Sequence, residues 1–362
     1  MKAAVCREFG QPLSVEELTL DDPGPQEVSV KVAATAICHS DLHVIEGAWG
    51  GRGGIPPFVA GHESAGVITR IGDQVRRLRP GDRVLVSLLR SCGTCFHCHS
   101  GAPFVCSGEF ELDKASRMRD ASGKAVNMGL WTAAFAEEAV VHASQVALIP
   151  ADLGMDRASL LACGVITGVG AVLNTADVRA GQSVAVIGTG GVGLNSVQGA
   201  ALAAADPIIG VDVMPEKRAA ATRFGATHTI DPTQGDPEVQ VMDLTQGVGV
   251  DYVFLTVGSA AAVESSWKMV SRLGALVIVG IPDMHTPLPV PIGQFVGGQR
   301  RVLGSRMGST RLQIDIPRLI ALYRQGRLKL DELISGRYPL ARINDAIADT
   351  LRGSSLRNVI EF

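Results

Sequence analysis

A chain of 362 residues, 46% of them apolar, is long enough for about two domains with a core in each. Its 33 basic and 36 acidic side chains leave a net charge of −3, which gives no overall attraction for a nucleic-acid backbone or an anionic membrane. Charged residues stand at the N-terminus where a secretory signal would carry an apolar segment. The longest apolar stretch, residues 160–173, is short and interrupted by Gly164, Gly168 and Gly170, so the reading is a soluble, cytoplasmic protein of a reducing compartment with no nucleic acid and no membrane as partner.

The first 150 residues carry short β-type runs between turn residues. Residues 28–33 alternate, 66–71 follow, and 83–87 come after the turn Pro80-Gly81-Asp82. This half predicts a β-rich domain, a barrel with insertions, in which Cys6 is a buried strand residue. Two polar clusters interrupt it, Cys38-His-Ser-Asp-Leu-His43 and Gly61-His62-Glu63. Taken singly, neither separates a metal ligand from a small buried hydrophobe or a hydrogen-bonded histidine. The next cluster is more specific. Cys92, Cys95, Cys98 and Cys106 fall within 15 residues, and four thiolates at that spacing fill every position around a tetrahedral zinc. No position remains for a substrate, so the site is structural. The loop between these cysteines contains Gly93, Gly101 and Pro103 and is too small for a core of its own, which makes the metal its source of stability. A disulfide framework is the competing reading of the same spacing.

After about residue 165 the pattern changes to strand, turn and helix in alternation. The apolar run 183–187 enters Gly188-Thr189-Gly190-Gly191-Val192-Gly193 and then an Ala-rich helical segment, 194–205. In that setting Gly188 permits the tight turn, Gly190 lets a pyrophosphate approach the backbone, and Gly193 allows close packing of helix on strand. The next strand, 207–212, ends in Asp212, 19 residues beyond Gly193, where a carboxylate accepts from an adenosine ribose. Asp212 would repel a 2′-phosphate, which favours NAD over NADP, and the nearby cations Lys217 and Arg218 temper that preference. Strands at 251–257 and 275–280, with a helix over 260–271 between them, complete a doubly wound parallel sheet. A third isolated thiol, Cys163, lies just before this fold. Together Cys38, His62 and Cys163 would leave a fourth metal position open.

With these segments in this order, the chain resembles the zinc-containing alcohol dehydrogenases of the medium-chain dehydrogenase/reductase family over nearly its whole length. The resemblance implies a Rossmann-type doubly wound sheet, residues 165–307, inserted in a β-rich GroES-like catalytic domain, 1–164 plus 308–362, that carries the structural zinc lobe. It implies two zinc ions per chain, with Cys38, His62 and Cys163 holding the catalytic one and Glu63 behind it as an occasional ligand. Asp41 would orient His62, and Ser40 would take the alcohol proton and pass it by way of the cofactor ribose to His43 near the surface. Thr167 is implied near the nicotinamide, Arg357 and His39 at the pyrophosphate, and Lys217 with the Gly188–Gly193 turn in the rest of the cofactor site.

The activity this implies is interconversion of an alcohol with its aldehyde or ketone by hydride transfer to NAD, with NADP the lesser choice. Zinc as a Lewis acid would favour the deprotonated alcohol. By position Trp49, Leu88, Leu130 and Trp131 are candidate walls of an apolar pocket suited to a primary alcohol or aldehyde with an aliphatic or aryl group. The family's thiol-adduct formaldehyde branch carries an arginine where this chain has Phe110, and an acid where it has Trp49, which disfavours glutathione adducts. A non-catalytic relative of the same fold is the other alternative, and it would ordinarily lack the three catalytic ligands. The residues 301–306 could pair edge to edge with a second copy in a homodimer, a homotetramer being the other assembly the family offers.

Overall fold

The computed structural model describes residues 1–281 and 285–362. Two compact units emerge: Met1–Cys163 with Arg311–Tyr323 and Leu330–Phe362, and Gly164–Thr310 with Arg324–Lys329. The chain thus returns to the second unit once more than the single insertion expected from sequence. That return has a physical anchor in the buried amide of Gln198, which donates to the Lys329 carbonyl at 3.1 Å and accepts from the Lys329 N–H at 2.7 Å.

The first unit is built on two sheets. In one, the strands Val146–Leu148, Arg83–Ser87, Glu63–Ile71, Glu27–Ala36, Arg357–Glu361 and Ile334–Pro339 lie in that order, and Glu138–His142 also pairs with Glu27–Ala36. The alternation at 28–33 is only partly mirrored in burial: Ser29 is as buried as Val28 and Val30, while Lys31 is exposed. The C-terminal strand runs antiparallel to Glu27–Ala36 with Val359 opposite Ala36, so Arg357 is carried to the end of the strand that leads into Cys38. The second sheet contains Lys2–Cys6, with Cys6 buried opposite Phe58, and its core gathers Leu42, Val44, Phe58, Leu130 and Phe135.

The second unit holds an all-parallel sheet in the order His228–Ile230, Ile208–Val211, Val184–Ile187, Val250–Leu255, Val270–Ile278, Arg301–Gly304. Its central strands Ile208–Val211, Val184–Ile187 and Val250–Leu255 are short, mostly apolar runs buried on both faces, as a parallel sheet between helices requires. The helix predicted over 260–271 stops at Lys268, because Val270 already pairs with Val250 and starts the next strand.

Among the described residues one helical run, Met155–Thr175, is long and apolar enough by length and composition to cross a membrane, and 83% of its apolar window is buried inside the protein. The glycines read as interruptions of this stretch do not break it. A side chain at Gly168 would begin 2.4 Å from the Val192 carbonyl oxygen, and one at Gly170 2.4 Å from that of Gly308, so both glycines permit close backbone packing. The run relaxes into π-type turns at Leu161–Val165, which carries Cys163, and at Ala171–Thr175.

At the glycine-rich turn, Gly188 has φ of +86°, a left-handed conformation that disfavours any side chain. A Cβ on Gly193 would sit 1.8 Å from the Gly188 carbonyl oxygen. A Cβ on Gly190 meets nothing nearer than the Lys217 ammonium at 3.9 Å. Gly193→Ala is therefore expected to cost about 3 kcal/mol in urea unfolding, against no more than about 1 kcal/mol for Gly190→Ala. Equal midpoints for the two variants would contradict this assignment of packing and open positions.

Candidate active site

The loops that carry Cys38 and His62 are joined by one carboxylate. Asp41, fully buried in the helix His39–Ile45, accepts from the Cys38 N–H at 3.1 Å through Oδ2. Through Oδ1 it accepts from the Gly61 N–H at 3.0 Å and from His62 Nδ1 at 2.9 Å. With Nδ1 engaged in this way, Nε2 of His62 keeps its lone pair for a cation.

Nε2 lies 3.3 Å from Cys163 Sγ and 3.9 Å from Glu63 Oε1. One donor atom each from Cys38, His62, Glu63 and Cys163 falls within 4.8 Å of the others, and all four residues are buried. Glu63 Oε2 is ion-paired with Arg357, while Oε1 is buried without a hydrogen-bond partner. Two thiols, an imidazole and an orphaned carboxylate oxygen converging in a dry site form a donor set that fits zinc.

The charges here are strongly interdependent. The Cys163 thiol and the His62 imidazole pull the Cys38 thiol well below its ordinary range, against burial. Cys163 is pushed up by Cys38 and by burial. Burial works against a charge on His62, but Asp41 and Cys38 outweigh it and hold the imidazole well above its usual value. Burial raises the Glu63 carboxyl to about 7 in spite of the opposing Arg357 guanidinium.

The second cysteine set forms an independent centre. The sulfur atoms of Cys92, Cys95, Cys98 and Cys106 also lie within 4.8 Å of one another, each half-buried. Cys92 Sγ accepts from the N–H groups of Thr94 and Cys95, and Cys106 Sγ from those of Cys92 and Gly108, at 3.3 to 3.4 Å. Backbone donors aimed at sulfur are the environment a thiolate needs. The Cys98 and Ser107 N–H groups lower Cys95 to about 5, whereas burial and the neighbouring thiolates raise Cys98 to about 12. None of the seven cysteines is bridged, so the spacing encodes a ligand set and no disulfide framework.

Ser40 and His43 are half-buried on the helix that begins after Cys38, and His39 is exposed on its first turn. Trp49 packs on the core with its ring 5.6 Å from that of His43, and Leu88 is half-buried. Leu130 is a core residue packed with Leu42 and Val44, while Trp131 turns toward Arg90. The Arg90 guanidinium lies 4.2 Å from the Phe110 ring and 5.1 Å from the Trp131 ring, and pairs with both Asp113 oxygens at 2.7 Å. Leu130, Trp131 and Ala133 all have left-handed φ, near 48°, 60° and 56°. This costly turn is held by Thr132, whose hydroxyl donates to the Gly61 carbonyl at 2.6 Å, and by Gln145, whose amide donates to the Trp131 carbonyl at 3.0 Å.

In the second unit the helix Gly191–Leu202 has no side-chain cap, so the N–H groups of its first turn are available to an anion. The open face of Gly190 adjoins it. Asp212 is nearly buried, with Oδ2 accepting from the Thr189 N–H at 2.7 Å and Oδ1 from the Met214 N–H at 2.9 Å. The Thr167 hydroxyl donates to the sulfur of Met307 at 3.6 Å.

Arg357 has a partner that the resemblance did not indicate: its side chain is buried and ion-paired with Glu63. The strand pairing of Val359 with Ala36 brings it there, and sequence offers only a faint sign, a cation opening an otherwise apolar terminal strand. Sequence reading also missed Arg90, which stands two residues before the first lobe cysteine with no motif around it.

Comparison with known proteins gives a consistent picture. The family described as alcohol dehydrogenase GroES-like domain matches residues 24–151, and the family described as zinc-binding dehydrogenase matches 191–325. Alcohol dehydrogenase B of Mycobacterium tuberculosis is 34% identical, with all of this chain and 98% of that protein covered. The crystal structure of an alcohol dehydrogenase zinc-binding domain protein from Burkholderia ambifaria superposes with a TM-score of 0.94 at 33% identity, covering 100% of this chain and 98% of the other. That of benzyl alcohol dehydrogenase from Acinetobacter calcoaceticus gives 0.92 at 31% identity, covering 100% and 99%.

The Glu63–Arg357 pair makes a direct test of how the centre is balanced. In the metal-free protein, Arg357→Met leaves a buried carboxyl without its cation and is expected to cost about 3 kcal/mol in chemical unfolding. Adding Glu63→Gln should recover part of that loss. Strictly additive losses in the double variant would show that the two side chains are not coupled.

Proposed function

The chain belongs to the zinc-dependent alcohol dehydrogenases of the medium-chain dehydrogenase/reductase family, and within it we propose that this oxidoreductase interconverts a primary alcohol, aliphatic or aryl, with its aldehyde, using NAD. One zinc is held by Cys38, His62 and Cys163, with Glu63 as an occasional ligand, and a second by Cys92, Cys95, Cys98 and Cys106. The observation that carries this reading is the buried set of Cys38, His62 and Cys163 beside the unpartnered Glu63 Oε1. Likeness to a benzyl alcohol dehydrogenase supports the aryl alcohol among the substrates. An aromatic and apolar wall from Trp49 and Leu88 agrees with either group.

When bound, zinc supplies Lewis acidity that eases loss of the hydroxyl proton, and the nicotinamide accepts hydride. The chain's own residues do the rest. Asp41 fixes the tautomer and the direction of His62. Arg357 holds one oxygen of Glu63 and leaves the other facing the ligand set. Ser40 accepts the substrate proton, and His43, three residues along the same helix, delivers it to water. The uncapped first turn of Gly191–Leu202 and the open face of Gly190 receive the cofactor's phosphates, with Asp212 on the adenosine ribose, Thr167 beside the nicotinamide and Lys217 at the turn. The Arg90 charge is neutralised by Asp113 and stacked on Phe110, which supports a simple alcohol over a carboxylate-bearing thiol adduct.

Two measurements test the reading together. The wild type should contain two zinc ions per chain by elemental analysis and reduce NAD with a panel of alcohols. Cys38→Ala should lose one zinc and turnover while still binding NAD, and Ser40→Ala should lower kcat about 10²-fold or more with both metals in place. Turnover retained in Cys38→Ala, or activity confined to thiol adducts, would overturn it.

We also propose a homodimer formed through Arg301–Gly304. Among the described residues this is an edge strand of the parallel sheet, paired on one side only. Sedimentation is expected to give a particle of two chains, and a single-chain mass would remove the proposal.

A further inference from the structure

We infer that discrimination against NADP depends on Asp231 as well as Asp212, because Asp231 holds Arg218 in a position where it cannot serve a 2′-phosphate. The inference rests on the reading of the Gly188–Gly193 turn as an NAD site. An arginine near the ribose-binding acid is the residue type that accommodates a 2′-phosphate, since its planar fork matches phosphate oxygens. This chain has that arginine, six residues after Asp212, in the helix Pro215–Phe224.

Both of its terminal nitrogens are already engaged. Arg218 Nη1 donates to the carbonyl oxygens of Asp212 at 2.7 Å and Val213 at 3.0 Å, and Nη2 lies 2.8 Å from Asp231 Oδ2. Both side chains of the pair are about four-fifths covered, with 18% and 20% exposure. Asp231 is itself held, because its Oδ1 accepts from the Thr233 N–H at 3.0 Å and the Thr233 hydroxyl at 2.6 Å. The pair is set by strand register: Ile208–Val211 and His228–Ile230 run parallel side by side, so the residues just past their ends, Asp212 and Asp231, emerge together. The Asp212 N–H also donates to the Ile230 carbonyl at 3.2 Å.

The consequences for the cofactor follow from the donor count. Asp212 Oδ1 accepts from the Met214 N–H and keeps a lone pair for a ribose hydroxyl. A 2′-phosphate in that place would face Asp212 with no guanidinium to offset it. The nearby sequence therefore contains the cation for NADP, and the tertiary pairing with Asp231 withholds it. Asp231 is a specificity-determining residue that acts through Arg218.

The experiment is calorimetric titration of the zinc-loaded wild type, Asp231→Asn, Arg218→Gln and the double variant with NAD⁺ and NADP⁺. Asparagine keeps the oxygen that caps the Thr233 turn and removes the charge that fixes Arg218. Asp231→Asn should tighten NADP⁺ binding about fivefold, the scale of a partly exposed ion pair, and leave NAD⁺ within about twofold. Arg218→Gln in that background should abolish the gain. A gain that survives Arg218→Gln would overturn the inference, because the lost carboxylate alone would explain it. Unchanged NADP⁺ affinity in Asp231→Asn with normal NAD⁺ binding would also overturn it. If the wild type binds neither nucleotide, the cofactor assignment fails first and the inference falls with it. Should Asp231→Asn not fold, Asp231→Ser retains a capping hydroxyl and enters the same comparison.

Discussion

Three hydrogen bonds to the carboxylate of Asp41 hold the buried Cys38 and His62 ligand set in register. Cys38 and His62 stand on separate segments, one at the start of a helix and one at the head of a strand, and only a shared acceptor fixes both at once. A buried carboxylate is costly unless its oxygens are satisfied, and here each one is, so the desolvation of Asp41 is offset by the geometry it imposes. The same bond to Nδ1 settles which nitrogen of His62 faces the thiols. Replacing the acid by a residue that could not accept three donors would loosen both segments together.

A second constraint follows from burial. Cys38, His62, Glu63, Cys163 and Arg357 place several ionisable groups where water cannot screen them, and no arrangement of protons satisfies all of them equally. Arg357 compensates part of the negative charge and a cation between the ligands would compensate the rest. Elsewhere in the same unit the lobe cysteines solve a similar problem with backbone N–H donors, in a loop that has no buried core residue of its own. The two centres therefore differ in what supports them. One is gripped by packed strands and a carboxylate, the other by its own short loop.

The glycine-rich turn of the second unit shows how tight backbone contacts separate packing positions from open ones. Gly193 is fixed by packing, since its missing side chain makes room for the Gly188 carbonyl, whereas Gly190 is open on the side a ligand would approach. Residues next to the turn are equally divided in role. Asp212 keeps capacity for a hydroxyl, and Arg218 is drawn away by an acid from the neighbouring strand end.

Much of this protein was legible before any coordinates. The spacing of Cys92, Cys95, Cys98 and Cys106 and the strand, glycine turn and helix around Gly188 are local patterns, because ligands in one loop and glycines in one turn are constrained by their immediate neighbours. The order of the motifs was enough to indicate the family and a β-rich domain joined to a doubly wound sheet. What sequence could not supply were pairings made across long separations. Arg357 meets Glu63 through strand register, Gln198 draws 324–329 into the second unit, Leu130 turns into the core while Trp131 meets Arg90, and Asp231 captures Arg218. A charged or aromatic side chain carries no mark of its distant partner, and which partner it finds is decided only when sheets and turns bring the two segments to the same place.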